Sequence, residues 1–139
     1  MTTRTDTALE ILSVYDTFAV VGCSADPARP SHGVARFLQD KGYDVIPVNP
    51  TCPECLGMPT YPDLSSIPAE RNVEVVDIFR RSEFVGPIVD EAIAIGAKAI
   101  WMQVGVVDED AARRAEEAGL DVVMDTCPKI EYPRLAARR

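Results

Sequence analysis

The amino-acid sequence predicts a single α/β domain, doubly wound, with a mainly parallel five-stranded sheet. Three observations lead to this fold class. The length of 139 residues is common for one domain, and the composition, 47% hydrophobic and 26% charged, is that of a globular protein with a real core. Short apolar runs also alternate with amphipathic stretches along the chain. Because alternating strands and helices form right-handed parallel crossovers, we expect helices on both faces of the sheet.

The elements follow from these apolar patterns, and we expect them all within one domain over residues 1–139. An N-terminal helix is expected within residues 1–12, packed on the outside. Strands are predicted at residues 17–21, 43–48, 73–78, 98–102 and 120–124. Further helices are predicted at residues 31–41, at 82–95 and from Asp108 to just before Gly119.

Local signals set the boundaries of the first elements. Gly22 closes the first strand. Ser31 is a candidate cap for the start of the following helix, and Gly42 stands where a left-handed residue ends one. The second strand is expected to end near Pro47, because proline has no amide hydrogen for the strand ladder.

The second half of the chain begins with a proline-rich segment over residues 49–72, for which we expect only brief order, near residues 64–67. A loop this long in a compact domain is usually functional or covers another part of the fold. Pro87 places the regular part of the next helix close to itself, and acidic residues after Asp108 suit the positive end of a helix. We expect the tail, residues 132–139, to be loosely held.

The charge balance argues against two classes of partner. With 14 basic and 22 acidic residues the formal charge is -8, which disfavours non-specific nucleic-acid binding. No apolar run approaches the roughly 20 residues of a membrane span, and the polar N-terminal segment does not resemble a signal peptide. The expected location is therefore the cytoplasm, and no membrane partner is expected.

The four cysteines are expected to be thiols in a reducing compartment. They are Cys23, Cys52, Cys55 and Cys127. The CxxC spacing of Cys52 and Cys55 is compatible with half of a zinc site, with a redox pair, or with two thiols in a surface loop. His32 is the single histidine and no second CxxC exists, so the surface-loop interpretation is favoured and no metal site is predicted.

The candidate ligand site lies where the strands end, because open α/β sheets bind ligands at the carboxyl ends of their strands. The loop after the first strand is rich in small residues and precedes a helix, a combination suited to phosphate. The candidate binding residues are Gly22, Cys23, Ser24, Arg29 and Ser31 in that loop, Pro47, Asn49 and Pro50 around the end of the second strand, Phe79 and Arg80, Gln103 and Gly105, and Cys127.

The sequence departs from the fingerprint of NAD-binding domains. Gly22 is followed by Ser24 where a second glycine is usual, and no carboxylate stands at the end of the second strand. These departures fit a mononucleotide with a phosphorylated ribose, which a carboxylate would repel. No convincing catalytic group is found either, since Cys23 and His32 are separated and lack an orienting acid.

Four motifs in order resemble one known family, over roughly residues 13–135. They are Val20-Val21-Gly22-Cys23-Ser24, Gly42-Tyr43-Asp44-Val45-Ile46-Pro47-Val48-Asn49-Pro50, Asp77-Ile78-Phe79-Arg80-Arg81 and Trp101-Met102-Gln103-Val104-Gly105. These runs resemble the small stand-alone CoA-binding proteins, which are similar to the CoA-binding domain of the succinyl-CoA synthetase α subunit. The resemblance implies a Rossmann-like fold that binds coenzyme A.

The resemblance also implies residue roles. Gly22, Cys23 and Ser24 would meet the phosphates, and residues 49–50 would lie near the ribose phosphate. The pair at 79–80 would lie beside the adenine, while residues 103–105 and Cys127 would line the pantetheine side.

The chain departs from the synthetase subunit in two respects. It ends before any domain that carries a phosphorylated histidine, so synthetase chemistry is not expected. The synthetase subunit has a lysine just after the proline of its second strand. This chain has none there, since no lysine occurs between Lys41 and Lys98. Arg29 or Arg80 would therefore have to neutralise the ribose phosphate.

The predicted function is binding of CoA or acyl-CoA by a protein without its own catalytic machinery, acting as a carrier, a sensor or a partner subunit. Three alternatives stay open. One is an enzyme of CoA or nucleotide metabolism with an unidentified catalytic group, and another is an NAD-binding Rossmann protein. The third is an interaction protein with a vestigial pocket.

Overall fold

A parallel five-stranded sheet forms the centre of the molecule. The computed structural model describes residues 3–137. The sheet strands are β1 (Thr17–Val21), β2 (Asp44–Val48), β5 (Val75–Ile78), β6 (Ala99–Met102) and β7 (Asp121–Val123), in the order β2-β1-β5-β6-β7. A separate short hairpin joins β3 (Glu54–Cys55) to β4 (Met58–Pro59). All neighbouring strands of the large sheet are parallel, which confirms the predicted fold class.

Helices cover both faces of this sheet. They are α1 (Arg4–Val14), α2 (Pro30–Asp40), α3 (Val85–Ala94), α4 (Glu109–Glu117), α5 (Pro128–Glu131) and α6 (Arg134–Ala137). One apolar core lies between the sheet and α3 and α4, and the other lies under α1, α2 and α5. Because both faces of the central strands are covered, β1 and β5 are buried along their whole length.

The strand order places the reversal of the chain between β1 and β5. After β1 the chain crosses to β2 on one side, and then returns to β5 on the other side. The loops that leave the carboxyl ends of β1 and β5 therefore diverge to opposite faces of the sheet. A ligand crevice is expected at this point in a doubly wound sheet.

Two details at the start of α2 differ from the sequence prediction, whereas the end of β2 near Pro47 agrees with it. Helix α2 begins at Pro30 with Arg29 as its cap residue, and Ser31 does not cap it. The Ser31 hydroxyl instead accepts a hydrogen bond from the backbone of Ser24, 3.0 Å away. Strand β2 continues one residue beyond Pro47, which is tolerated because β2 is an edge strand and the Pro47 carbonyl accepts the Tyr61 amide at its outer side.

The expectation of a loosely held tail is corrected for the residues that the structure describes. Tyr132 and Leu135 pack against the core beneath α1 and α2. Arg134, at the start of α6, pairs with the buried Glu131 at 3.1 Å. Residues 138–139 of the predicted tail, and residues 1–2 of the predicted N-terminal helix, lie outside the described range.

The proline-rich segment is more ordered than predicted. The expected turn is a 3-10 helix at Leu64–Ser66, and a second 3-10 helix follows at Ala69–Arg71. Leu64 is buried, and its amide donates to the carboxylate of Glu91 on α3. The β3–β4 hairpin also belongs to this segment, and Tyr61 of the same segment bridges to Val48 at the outer edge of β2.

Gly22 lies where three strands come together. Its amide donates to the Val48 carbonyl of β2 at 2.8 Å, while the Phe79 amide after β5 donates to the Val21 carbonyl at 2.9 Å. Gly22 has a φ of +89°, and a Cβ atom on it would lie 2.5 Å from the Phe79 carbonyl oxygen. The backbone can therefore pass this point only as glycine.

We expect Gly22→Ala to lower the free energy of unfolding by about 2–4 kcal/mol, from the cost of a left-handed backbone together with the clash. Gly33→Ala is the matched control, since Gly33 lies in α2 and a Cβ there meets nothing within 4 Å. That control should stabilise the protein by about 0.5–1 kcal/mol through helix propensity. Urea unfolding of both variants measures the two changes, and equal effects would contradict the assignment of Gly22.

Candidate binding cleft at the carboxyl edge of the sheet

A cleft of about 690 Å³ opens at the reversal point between β1 and β5. The loops that follow β1, β2, β5, β6 and β7 all contribute to its wall. The residues that line it are Gly22, Ser24, Arg29, Pro30, Ser31, Val34, Asn49, Phe79, Gln103, Val104, Val106, Cys127 and Ile130. Its volume lies within the range of small-molecule and cofactor sites.

Most of the residues predicted from strand ends come together in this cleft. Those that line it are Gly22, Ser24, Arg29, Ser31, Asn49, Phe79, Gln103 and Cys127. They come from distant positions in the chain and meet because parallel strands end at one edge of the sheet. These eight residues therefore lie at the predicted edge of the sheet. That they bind a ligand stays a prediction.

Five predicted residues do not line the cleft. Cys23 is fully buried, and Pro47 is buried within β2. Pro50 lines a separate, smaller cavity of about 270 Å³. The Arg80 guanidinium lies 4.9 Å from the ring centroid of Phe84. The Gly105 amide donates to the Asp125 carboxylate at 2.7 Å.

Several lining residues were not among the predicted site residues. Pro30 and Val34 belong to α2, where the apolar spacing indicated core packing alone. Val104 and Val106 flank Gly105 in the loop after β6, and Val104 is 62% exposed. Ile130 lies on α5, a helix of four residues that carries no periodic signal in the sequence.

The loop after β1 forms the polar end of the cleft, and its hydrogen bonds are largely made within the protein. The Ser24 amide donates to the Ser31 hydroxyl, and the Ala28 amide donates to the Asp26 carboxylate at 2.9 Å. The Gly22 amide is bonded to Val48. The amides of Gly22, Ser24 and Ala28 are therefore not free to donate to a phosphate. Arg29 then provides the charged donor at this end.

Asn49 fixes the relative position of two loops. Its side-chain amide donates to the Cys23 carbonyl at 2.9 Å. Its side-chain oxygen accepts from the backbone and hydroxyl of Thr51, each at 3.0 Å. The end of β2 is thus tied to the loop after β1, directly beside Ser24.

The cysteines correct the expectation of four free thiols. Cys23 and Cys55 form a disulfide, and Cys55 is buried. Cys55 belongs to β3, so the disulfide joins the hairpin to the loop that carries Gly22 and Ser24. The CxxC segment is therefore neither a redox pair nor two thiols in a surface loop. Cys52 and Cys127 are free and partly exposed.

Asp77 is buried beneath the cleft. It lies on β5, is fully buried, and accepts a hydrogen bond from the Gln103 side-chain amide at 2.7 Å. Burial raises the pKa of Asp77 to about 7, although the Gln103 bond opposes this rise. Burial also raises the pKa of the Cys127 thiol, and the nearby charge of Asp77 adds to that effect. Cys127 is consequently a protonated, weakly nucleophilic thiol near neutral pH.

Comparison with known proteins identifies the family. A family model described as "CoA binding domain" matches residues 16–133. The chain belongs to the CoA binding domain family. This membership confirms the resemblance on which the sequence interpretation rested.

The relatives of this CoA-binding domain chain include proteins without an assigned activity. A Bacillus subtilis (strain 168) protein described as "Uncharacterized protein YneT" is 40% identical over 123 residues, covering 88% of this chain and 90% of that protein. The structure of a hypothetical protein from Pyrococcus horikoshii OT3 has a TM-score of 0.89 at 39% identity, covering 95% of this chain and 92% of that one.

A larger protein contains a similar domain. The dinucleotide-forming acetyl-coenzyme A synthetase 1 of Ca. Korarchaeum cryptofilum, solved in complex with phosphate and ADP, matches with a TM-score of 0.72 at 29% identity. The match covers 86% of this chain but 28% of the synthetase.

Within residues 3–137, no helix is both long and apolar enough to cross a membrane.

Reduction of the Cys23–Cys55 disulfide is expected to lower the free energy of unfolding by about 2–4 kcal/mol, because the bond closes a loop with a sequence separation of 32 residues. Urea unfolding with and without a dithiol reductant measures this change. Cys127→Ser should keep the full effect of the reductant, and Cys55→Ser should show none. An effect of the reductant in Cys55→Ser would contradict the pairing.

The raised pKa of Asp77 predicts a specific pH dependence of stability. The folded state holds this proton up to about pH 7, whereas the unfolded chain releases it near pH 3.8. The contribution to stability is therefore fully present below about pH 4 and is lost as the pH rises to about 7. Relative to wild type, Asp77→Asn should gain about 4 kcal/mol of stability between pH 4 and pH 8. Denaturant unfolding at the two pH values tests this, and a constant difference would refute it.

Proposed function

We propose that this protein binds coenzyme A or an acyl-CoA in the cleft at the carboxyl edge of the sheet. The observation that carries the proposal is the charge of the cleft. Among its described lining residues, Arg29 is the one charged side chain and none is a carboxylate. A chain with a formal charge of -8 thus presents a neutral-to-positive cleft, which suits a ligand that bears several phosphates.

The polarity of the cleft changes from one end to the other. Ser24, Arg29 and Ser31 lie at the amino end of α2, where the helix dipole favours an anion. Val104 and Val106 follow β6 and provide apolar surface farther along the sheet edge. A ligand with phosphates at one end and a long, weakly polar arm at the other matches this gradient. Phe79 also lines the cleft and offers an aromatic ring for stacking against the adenine base.

The same lining residues support a binding role without catalysis. They include no histidine, lysine or carboxylate that could serve as a general base within the described part of the chain. The Cys127 thiol has a raised pKa, which disfavours it as a nucleophile. The protein would then hold the ligand as a carrier, a sensor or a subunit of a larger assembly. Membership in the CoA-binding domain family and the similarity to a domain of an acetyl-CoA synthetase support this function.

Calorimetry with CoA, dephospho-CoA and NAD tests the proposal. CoA should bind more tightly than NAD, because the end of β2 carries Asn49 where NAD-binding domains place a carboxylate. Arg29→Ala should weaken CoA binding by about 1.5–3 kcal/mol, the loss of a charge-assisted hydrogen bond. Equal or tighter NAD binding would refute the proposal.

Two further arginines make the experiment specific. Arg36 lies on α2 but outside the cleft, so Arg36→Ala should bind CoA as wild type does. Arg80→Ala distinguishes the two arginines that could neutralise the ribose phosphate. If Arg29 performs this role, its substitution should weaken CoA much more than dephospho-CoA, and the substitution of Arg80 should have little effect.

A further inference from the structure

Asp77 has one carboxylate oxygen without a partner. One oxygen accepts from Gln103 at 2.7 Å, whereas Oδ2 is the buried side-chain atom that lacks any hydrogen bond among the described residues. Gln103 itself lines the cleft and is 4% exposed. A half-satisfied buried carboxyl is costly for stability, so its position directly beneath a ligand cleft points to a role in that cleft.

Among residues 3–137, no positively charged side chain interacts with Asp77. Its neighbours in register are Val20 on β1 and Trp101 on β6, and the Trp101 ring nitrogen donates to the Thr126 carbonyl. From the side of β7, the titratable group that interacts with Asp77 is the Cys127 thiol.

The helices over this face also leave Asp77 unpaired. On α5, the carboxylate of Glu131 is engaged by the Thr126 hydroxyl and by Arg134. The portions of α1 and α2 that cover the face contribute apolar side chains to the core. Gln103 is therefore the hydrogen-bond partner of Asp77, and the neutral, protonated form of the carboxyl is favoured by burial.

The hydrogen bond to Asp77 fixes the orientation of the Gln103 amide. Because the side-chain nitrogen of Gln103 is the donor to Asp77, the carbonyl oxygen of the same amide is left for the cleft. A Gln103 side chain that was free to rotate would offer the ligand either its N–H donor or its carbonyl acceptor. With the Gln103 nitrogen bonded to Asp77 Oδ1, an oxygen that can accept whether or not the carboxyl is protonated, the amide presents its carbonyl acceptor, which is complementary to an N–H group such as the amides of the CoA arm.

We propose that Asp77 is a positioning residue that holds the Gln103 carbonyl towards an N–H group of the ligand, and that it takes up a proton when the ligand covers the cleft. This inference rests on the proposed function. Ligand binding would exclude water from Gln103 and bring an anion closer to Asp77. Both effects favour the protonated carboxyl, so binding and protonation reinforce each other.

Calorimetry of CoA binding at pH 7, in two buffers with different ionisation enthalpies, measures the protons taken up. Wild type should take up more protons than Asp77→Asn, and the titration of the ligand's own phosphate cancels in this comparison. Between pH 6 and pH 8, the affinity of wild type should fall about threefold more than that of Asp77→Asn, because the bound state retains the Asp77 proton to a higher pH than the free protein does. Glu131→Gln is the matched control, since it changes a buried carboxyl on the same face and should behave as wild type.

Two variants separate the orientation of the Gln103 amide from the protonation of Asp77. Asp77→Asn can still accept from Gln103, so its affinity at pH 6 should stay within about twofold of wild type. Gln103→Met keeps the size of the side chain but loses the carbonyl, and should weaken CoA about three- to tenfold at every pH. Circular dichroism and urea unfolding establish that each variant is folded.

The outcomes distinguish this inference from the proposed function. Equal proton uptake in wild type and Asp77→Asn, with CoA binding intact, would overturn the role of Asp77. Wild-type affinity of Gln103→Met for CoA would also overturn the role of Asp77. This variant alone tests that role if Asp77→Asn does not fold. Failure of wild type to bind CoA at any pH would instead overturn the proposed function.

Discussion

The close approach of backbone at Gly22 is the constraint on which the rest of the structure depends. At this residue the chain leaves β1, bonds to the end of β2 and passes against the Phe79 carbonyl after β5. The contact requires a residue without a Cβ atom in a left-handed conformation. It brings three strand ends within hydrogen-bonding distance and leaves the loops beyond them to diverge. The cleft is the space between those diverging loops.

Several polar groups and cysteines around this cleft hold its walls in place. Asn49 joins the loops after β1 and β2, and the Cys23–Cys55 disulfide anchors the hairpin. The Ser31 hydroxyl accepts the hydrogen bond of the Ser24 amide. Few side chains are then left for a ligand, chiefly the guanidinium of Arg29 and the amide of Gln103. Such an arrangement is suited to recognition by a preformed surface, in which little ordering accompanies binding.

The sequence was sufficient to predict the sheet and the edge at which the cleft lies, because both follow from hydrophobic periodicity and from the parallel arrangement. Phe79, Gln103 and Cys127 could be placed at the cleft for that reason alone. Ile130 could not, because α5 is too short to show a period. The pairing of Cys23 with Cys55 depends on the path of an irregular segment, which no local signal determines. The unsatisfied oxygen of Asp77 was equally hidden, since the residue stands in a strand that otherwise appears to be ordinary core.

The coverage of β2 has a consequence for self-association. Tyr61 donates its amide to the Pro47 carbonyl, and its own carbonyl accepts from the Asn49 amide, so the carboxyl end of the outer side of β2 is already paired with its own chain. Proline within the strand also removes a donor from that side. The opposite edge is β7, which is three residues long. Neither margin of the sheet offers a long row of open backbone groups, so the fold is protected against the edge-to-edge strand addition that begins many aggregates.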